Sequence, residues 1–217
     1  MAGLKRPLAH AILAAAHLQR IPARKNISTE GCRATRLFLI QKGRARFCHL
    51  TKQGELITLS WLVPGDVTGL VAILKSPPPY VATAEATSDC EILVWEHSVI
   101  RKLISLHPVL AENAFRIGLD YLRISMERHI GLVTKTAETR LAEALVRLVD
   151  QCGQFRLDGI EIPATNDELS ALADVTPFTA SRVLSSWARS GTISKRRGRV
   201  VLRAPEALMM AGILPKR

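Results

Sequence analysis

The chain has 217 residues, room for one large domain or two modest ones at roughly 100–200 residues each. Its 47% hydrophobic and 23% charged residues are those of a soluble globular protein, which excludes a disordered or collagen-like chain. The formal charge of +11 is unevenly spread: +9 over residues 1–60, −6 over 61–181 and +8 over 182–217. A basic end on an acidic middle points to a nucleic-acid partner at the C-terminal end. The same charge would also serve solubility alone.

At the N-terminus, Lys5-Arg6 followed by the apolar residues 8–16 has the outline of a signal peptide. The run is short and interrupted by His10 and His17, so it reads better as an amphipathic helix with Leu8, Ala11, Ile12 and Ala15 on one side. No apolar stretch approaches the roughly 18–20 residues of a membrane span. A cytoplasmic protein with no membrane partner is expected. Cys32, Cys48, Cys90 and Cys152 form no CxxC pair and are expected to be reduced, buried, small apolar residues.

Glycines 31, 43, 54 and 65 then recur at 11–12 residue intervals, separating the apolar and Thr-rich runs 37–41, 45–50 and 56–63. Such spacing predicts an antiparallel sandwich or barrel. In the third run Ile57, Leu59, Trp61 and Val63 alternate with Thr58 and Ser60, the pattern of a half-buried strand with the apolar set inward. Two more strands, 83–86 and 91–95, follow the triple proline Pro77-Pro78-Pro79.

From Ser98 the period becomes helical, and Pro108 opens the longest helix, reaching about Lys135. It carries two apolar stripes: Leu110, Ala114, Ile117, Tyr121 and Ile124, and Phe115, Leu119, Leu122, Met126, Ile130 and Val133. One β-domain can cover only one stripe, so a homodimer seam is expected, with Ala114, Ile117, Tyr121 and Ile124 in it. The expected divisions are a β-domain over 1–107, the helix over 108–136, and a C-terminal unit over 137–217. That unit begins with an amphipathic helix over 139–151 and a turn over 152–159.

Thr165-Asn166-Asp167-Glu168 is a capping box that starts a short helix. A second helix starts at Thr176-Pro177, buries Ala180, Val183, Leu184 and Trp187, and presents Phe178, Ser181, Arg182, Ser185 and Arg189. Gly191 ends it. Two short helices with a polar, arginine-bearing second face form a helix-turn-helix. A strand, the basic turn 195–199 and a second strand add a hairpin wing. Its Lys195, Arg196, Arg197 and Arg199 sit where a phosphate backbone would pass.

In this order and spacing the chain resembles the bacterial cyclic-AMP receptor and fumarate–nitrate regulator family of transcription factors, over about residues 18–208. The matching residues include Leu37-Phe38-Leu39-Ile40, Lys42-Gly43-Arg44, Pro64-Gly65-Asp66 with Gly69, Ala84-Glu85-Ala86, and Thr139-Arg140-Leu141-Ala142. The resemblance implies an α+β fold: an N-terminal antiparallel β-roll like those that bind cyclic nucleotides, a long dimerisation helix, and a C-terminal winged helix-turn-helix. It implies a homodimer on an inverted repeat of double-stranded DNA, and contact with RNA polymerase if the protein is an activator.

By position, Asp66 and Gly69 fall in the family's phosphate-cradling loop, Leu70 replaces the ribose-binding glutamate, and Tyr80 and Val81 stand where an Arg-Ser pair holds the phosphate. Ser125 and Met126 occupy the adenine-facing positions of the long helix. Without the arginine a buried phosphate lacks its bidentate partner, so cyclic AMP is disfavoured. The cysteines of the iron–sulfur branch are also missing, only Cys32 lying near the right region. Haem stays open as an alternative, with Cys48, His49, Cys90 and His129 as residues that could ligate it, as does a β-roll with no effector at all.

In the recognition helix the resemblance carries Ser181 and Arg182 over to base reading, while Phe178 replaces a glutamate and could pack on a thymine methyl. Thr176, Thr179 and Arg189 complete the expected DNA-facing set. A cupin-like enzyme is the remote alternative. Its case is weak because the six histidines (His10, His17, His49, His97, His107, His129) form no metal-ligand motif, and no nucleophile or glycine-rich phosphate loop appears. No enzymatic activity is expected.

Overall fold

The computed structural model describes residues 6–54 and 56–203. The end of the family resemblance, residues 204–208, lies outside them. The chain divides into two units, Met1–Ser125 and Met126–Arg217, with the division falling inside the long helix.

The first unit begins with helix α1 (Arg6–Ala14) and continues through strands β1 (His17–Ile21), β2 (Asn26–Ser28), β3 (Arg36–Lys42), β4 (Ala45–Leu50), β5 (Leu56–Leu62) and β6 (Val67–Thr68). A short 3-10 helix (Leu70–Ile73), β7 (Thr83–Ala86), β8 (Cys90–Glu96) and helix α2 (His97–Leu106) follow. Two four-stranded antiparallel sheets form, ordered β1-β8-β3-β6 and β2-β7-β4-β5. Phe38, Ile40, Ile92 and Val94 from the first sheet meet Ala45, Leu62, Ala84 and Ala86 from the second in one core.

Residues 92–95 of strand β8 form an uninterrupted apolar run because both faces of the strand are covered there. Ile92 and Val94 enter that core, while Leu93 and Trp95 pack with Ile12 of α1 and Ile100 of α2. The Trp95 indole donates to the Ile12 carbonyl at 2.8 Å, pinning α1 to the sheet. The inward face of α1 is Leu8, Ile12 and Leu13; Ala11 and Ala15, expected on it, are exposed. At the β3–β4 turn, Gly43 adopts φ 85°, and a Cβ there would stand 2.2 Å from the Asp89 carbonyl oxygen.

Strand β5 forms, but with the opposite face inward. Ala45 pairs directly with Leu62, so Leu62, Ser60 and Thr58 share the core side, with a register shift at Phe47/Cys48. Ile57 and Leu59, expected inside, are exposed on this edge strand. Cys32 is likewise exposed rather than buried, Cys152 is half-buried, and Cys48 and Cys90 are buried; none of the four is in a disulfide. Strands β2 and β6 carry too few residues to stand out in the sequence, and β1 is mostly polar, with His17, Gln19 and Arg20 among its five residues.

Helix α3 (Val109–Thr134) runs from the first unit into the second. In the first unit Leu110 and Tyr121 pack on the β-core and Ala114 and Ile117 are half-buried. Tyr121 stacks edge-on against Phe47 and donates its hydroxyl hydrogen to the Val67 carbonyl at 2.8 Å. Phe115, Leu119 and Leu122 are exposed there, as are Ile124 and, in the last turns, Met126, Ile130 and Val133.

The second unit contains α4 (Ala137–Cys152), β9 (Gln154–Arg156), β10 (Gly159–Ile162), α5 (Asn166–Leu172), α6 (Pro177–Arg189), β11 (Ile193–Arg196) and β12 (Arg199–Leu202). Its sheet runs β11-β12-β10-β9, all antiparallel, so the expected turn over 152–159 contains a short hairpin. Leu141, Leu145 and Leu148 of α4 pack with Leu169, Ala180, Leu184, Trp187 and Val200. Each large side chain buried there contributes about 1.5–3 kcal/mol.

Candidate nucleic-acid interface and effector region

The recognition element is built by local hydrogen bonds. The Thr165 hydroxyl accepts the Glu168 backbone N–H at 3.1 Å, and Glu168 returns a carboxylate to the Thr165 N–H at 2.7 Å. The Thr176 hydroxyl accepts the Thr179 N–H at 3.1 Å, with Pro177 at the first helical position of α6. Each cap contributes about 1 kcal/mol. Because Ala180, Leu184 and Trp187 are buried, the helix period turns Phe178, Arg182 and Arg189 outward. Phe178 is 78% exposed, so its ring is available to a partner rather than to the core. Thr179, Ser181 and Ser185 are half-buried at the edge of this face.

The wing differs from expectation in its charges. The strands extend further than the sequence indicated: Lys195 and Arg196 lie in β11 and Arg199 in β12, leaving Arg197-Gly198 as the turn. Glu161 of β10, with its side chain 8% exposed, accepts from Arg199 at 2.9 Å and lies 3.7 Å from Arg196 and 3.8 Å from Arg156. Arg196 also meets Asp158 at 2.9 Å. Two of the four wing cations are therefore committed to acidic partners. Lys195 reaches the Ser185 hydroxyl at 3.3 Å, and Arg197 makes no ion pair among the described residues. A cavity of about 250 Å³ between the α5 start and the wing is lined by Thr165, Asn166, Lys195, Arg196 and Arg199. Sequence reasoning missed Glu161; its one signal was a lone acid between Ile160 and Ile162.

The residues expected around an effector are scattered in role. The Asp66 carboxylate accepts the Val63 N–H at 2.8 Å, and burial pushes its pKa up. Gly69 has φ 77°, and a Cβ on it would stand 2.6 Å from the Arg36 carbonyl and 3.3 Å from the Tyr80 ring. Tyr80 is buried; its hydroxyl donates to the Arg36 carbonyl and accepts the Arg36 N–H, both at 3.0 Å. Its hydrogen-bonding capacity is used inside the fold, and burial raises its pKa. Leu70 packs on the α2 side of the first sheet, and Val81 is 76% exposed. Ser125 and Met126 are exposed.

The residues that could ligate haem are hydrogen-bonded within the fold or exposed. His49 shares its Nδ1 with Glu30 at 2.8 Å, and His129 is exposed. Cys48 and Cys90 direct their Sγ to the Thr83 and Arg44 carbonyls, and burial raises both thiol pKa values, which disfavours the ligating thiolate. Among the described residues no group of three or more His, Cys, Asp or Glu side chains could hold a metal ion. No helix among them is long and apolar enough to cross a membrane.

Known proteins bear on both halves of the chain. Residues 18–107 match a cyclic nucleotide-binding domain model and residues 139–211 a Crp-like helix-turn-helix domain model. The cyclic AMP receptor protein of Thermus thermophilus is 30% identical over 194 residues, 88% of this chain and 87% of that protein. The anaerobic regulatory protein of Bacillus subtilis is 27% identical over 176 residues, 80% of this chain and 74% of that one. Among solved structures, FixK2 from Bradyrhizobium japonicum superposes with a TM-score of 0.78 at 22% identity, covering 90% of this chain and 96% of that one. A mixed fold of antiparallel sheets, a long helix and a capped helix-turn-helix with a basic wing thus coincides with sequence identity along nearly the whole chain, and the protein belongs to the CRP/FNR family of DNA-binding bacterial transcription regulators.

Proposed function

We propose that the protein is a cytoplasmic homodimer that reads an inverted repeat in double-stranded DNA, with Arg182 and Phe178 at base edges and the wing on phosphates. The observation that carries this reading is the outward face of α6, where Arg182 stands one helical turn beyond the exposed Phe178 with no ion-pair partner among the described residues. A bidentate arginine–guanine pair contributes about 1–3 kcal/mol of discrimination, and Phe178 packs on a thymine methyl. Thr176, Thr179, Ser181 and Arg189 flank the contact, and Lys195 and Arg197 take phosphates.

The dimer seam passes along the exposed side of α3, through Phe115, Leu119 and Leu122, rather than through the opposite side that carries Ala114, Ile117, Tyr121 and Ile124. A row of large apolar side chains exposed along one helix is costly in water, and a second copy of the helix covers it. The β-roll answers to an effector other than cyclic AMP or to none. Leu70, Tyr80 and Val81 offer no cation to a cyclic phosphate, and the Tyr80 hydroxyl is engaged with Arg36. A regulator that activates transcription would also contact RNA polymerase. Selection of bound duplexes from random DNA tests the core of the reading: two inverted half-sites centred about 34 Å apart are expected. Recovery of a single unpaired site, or of no preferred sequence, overturns it.

A further inference from the structure

Three arginines from the preceding helices converge on the turn between α5 and α6. Asp174 supplies the left-handed residue there, at φ 51°, that lets the chain reverse between two short helices. Its carboxylate meets Arg128 of α3 in a bidentate pair, Nε donating to Oδ2 at 3.1 Å and Nη2 to Oδ1. The two side chains are 22% and 27% exposed, so the pair is partly shielded from solvent. Arg140 of α4 donates from Nε to the Ala173 carbonyl at 2.8 Å and from Nη2 to the Asp174 carbonyl at 3.2 Å. Its Nη1 holds the Lys135 carbonyl, just past the end of α3, at 2.8 Å. Arg147 reaches the Leu172 carbonyl at 3.4 Å.

A glycine adopts this backbone conformation without a Cβ clash, so the turn does not need an aspartate. The carboxylate is accounted for by the arginine opposite it. Arg128 lies in the last turns of the same helix whose earlier turns carry the exposed Phe115–Leu119–Leu122 stripe. A bidentate pair on the helix that also carries the seam has the means to align the reading helix against its twofold mate.

We propose that Arg128 and Asp174 form a latch, a positioning pair that ties the end of α3 to the helix-turn-helix turn and fixes the separation of the two recognition helices. The inference rests on the dimeric reading above. The test uses full-length protein and two duplexes: the inverted repeat recovered by selection, and the same duplex with one half-site scrambled. Asp174→Gly, Arg128→Gln and their combination are titrated on both. Each single variant is expected to lower the ratio of full-site to half-site affinity about tenfold while holding half-site affinity within about twofold, and the double variant to lose no more than either single one. Arg128→Lys, which keeps one charged hydrogen bond, retains most of the ratio. Asp174→Gly keeps the left-handed turn, so its unfolding midpoint is expected to stay within about 3 °C of the parent.

An unchanged ratio in both single variants, an equal loss on both duplexes, or additive losses in the double variant would overturn the latch. Parent protein that binds the two duplexes equally overturns the dimeric reading, and the latch with it. Parent discrimination that persists in the variants overturns the latch alone.

Discussion

Replacing Arg197 with Gln isolates the phosphate contribution of the wing. Arg197 occupies the exposed turn between β11 and β12, whereas Arg196 and Arg199 are drawn toward Asp158 and Glu161 at 2.9 Å. On the proposed reading the Arg197 charge, like that of Lys195, meets DNA without first leaving an acidic partner. Each phosphate contact contributes about 0.9 to the slope of log affinity against log salt, and a dimer has two wings, so the slope should flatten by about 1.8. Between about 50 and 200 mM salt this amounts to about a tenfold change in the affinity gap between variant and parent, largest at low salt. The assay is a binding titration at several salt concentrations on the selected duplex and on a scrambled one. Arg182→Ala is the matched control: it should relax the preference at one base pair of each half-site, by about 1–3 kcal/mol. Equal slopes for parent and Arg197→Gln, or a changed base preference in Arg197→Gln alongside an equal loss on both duplexes in Arg182→Ala, would refute the division of labour.

The seam on α3 predicts that Leu119→Glu combined with Leu122→Glu yields monomers at micromolar concentration by light scattering; a variant that stays dimeric places the seam elsewhere. Calorimetry with cyclic AMP should show no saturable binding below about 100 μM, and a tighter isotherm would contradict the reading of Leu70, Tyr80 and Val81. Asp66→Asn should raise thermal stability at neutral pH, because burial disfavours the charged carboxylate and the amide oxygen can still accept the Val63 N–H. A raised folded-state pKa means that protonating Asp66 favours the native state. The gap between variant and parent should therefore narrow as pH falls through the raised value and close below the ordinary 3.8, a trend that thermal melts across the acid range would reveal or deny.

The features legible in the amino-acid order alone are local ones. The two capped helix starts at Thr165 and Thr176 and the position of each long helix are specified by groups within a few residues of one another, and the structure reproduces them. The family, too, was legible, because the order of such local elements is itself a pattern. Which face of each element meets which partner is set by long-range packing. A two-residue period in β5 marks two faces, but the pairing of Ala45 with Leu62 chose Thr58, Ser60 and Leu62 as the inner one and left Ile57 and Leu59 outside. Two stripes on α3 are equivalent in sequence until the Val67 carbonyl and Phe47 claim Tyr121. Glu161 meets Arg199 across 38 residues and Arg128 meets Asp174 across 46, distances at which no periodicity carries information. Periodicity reports that a surface must be buried or a charge paired; strand register and helix packing, which bring distant residues together, choose the partner.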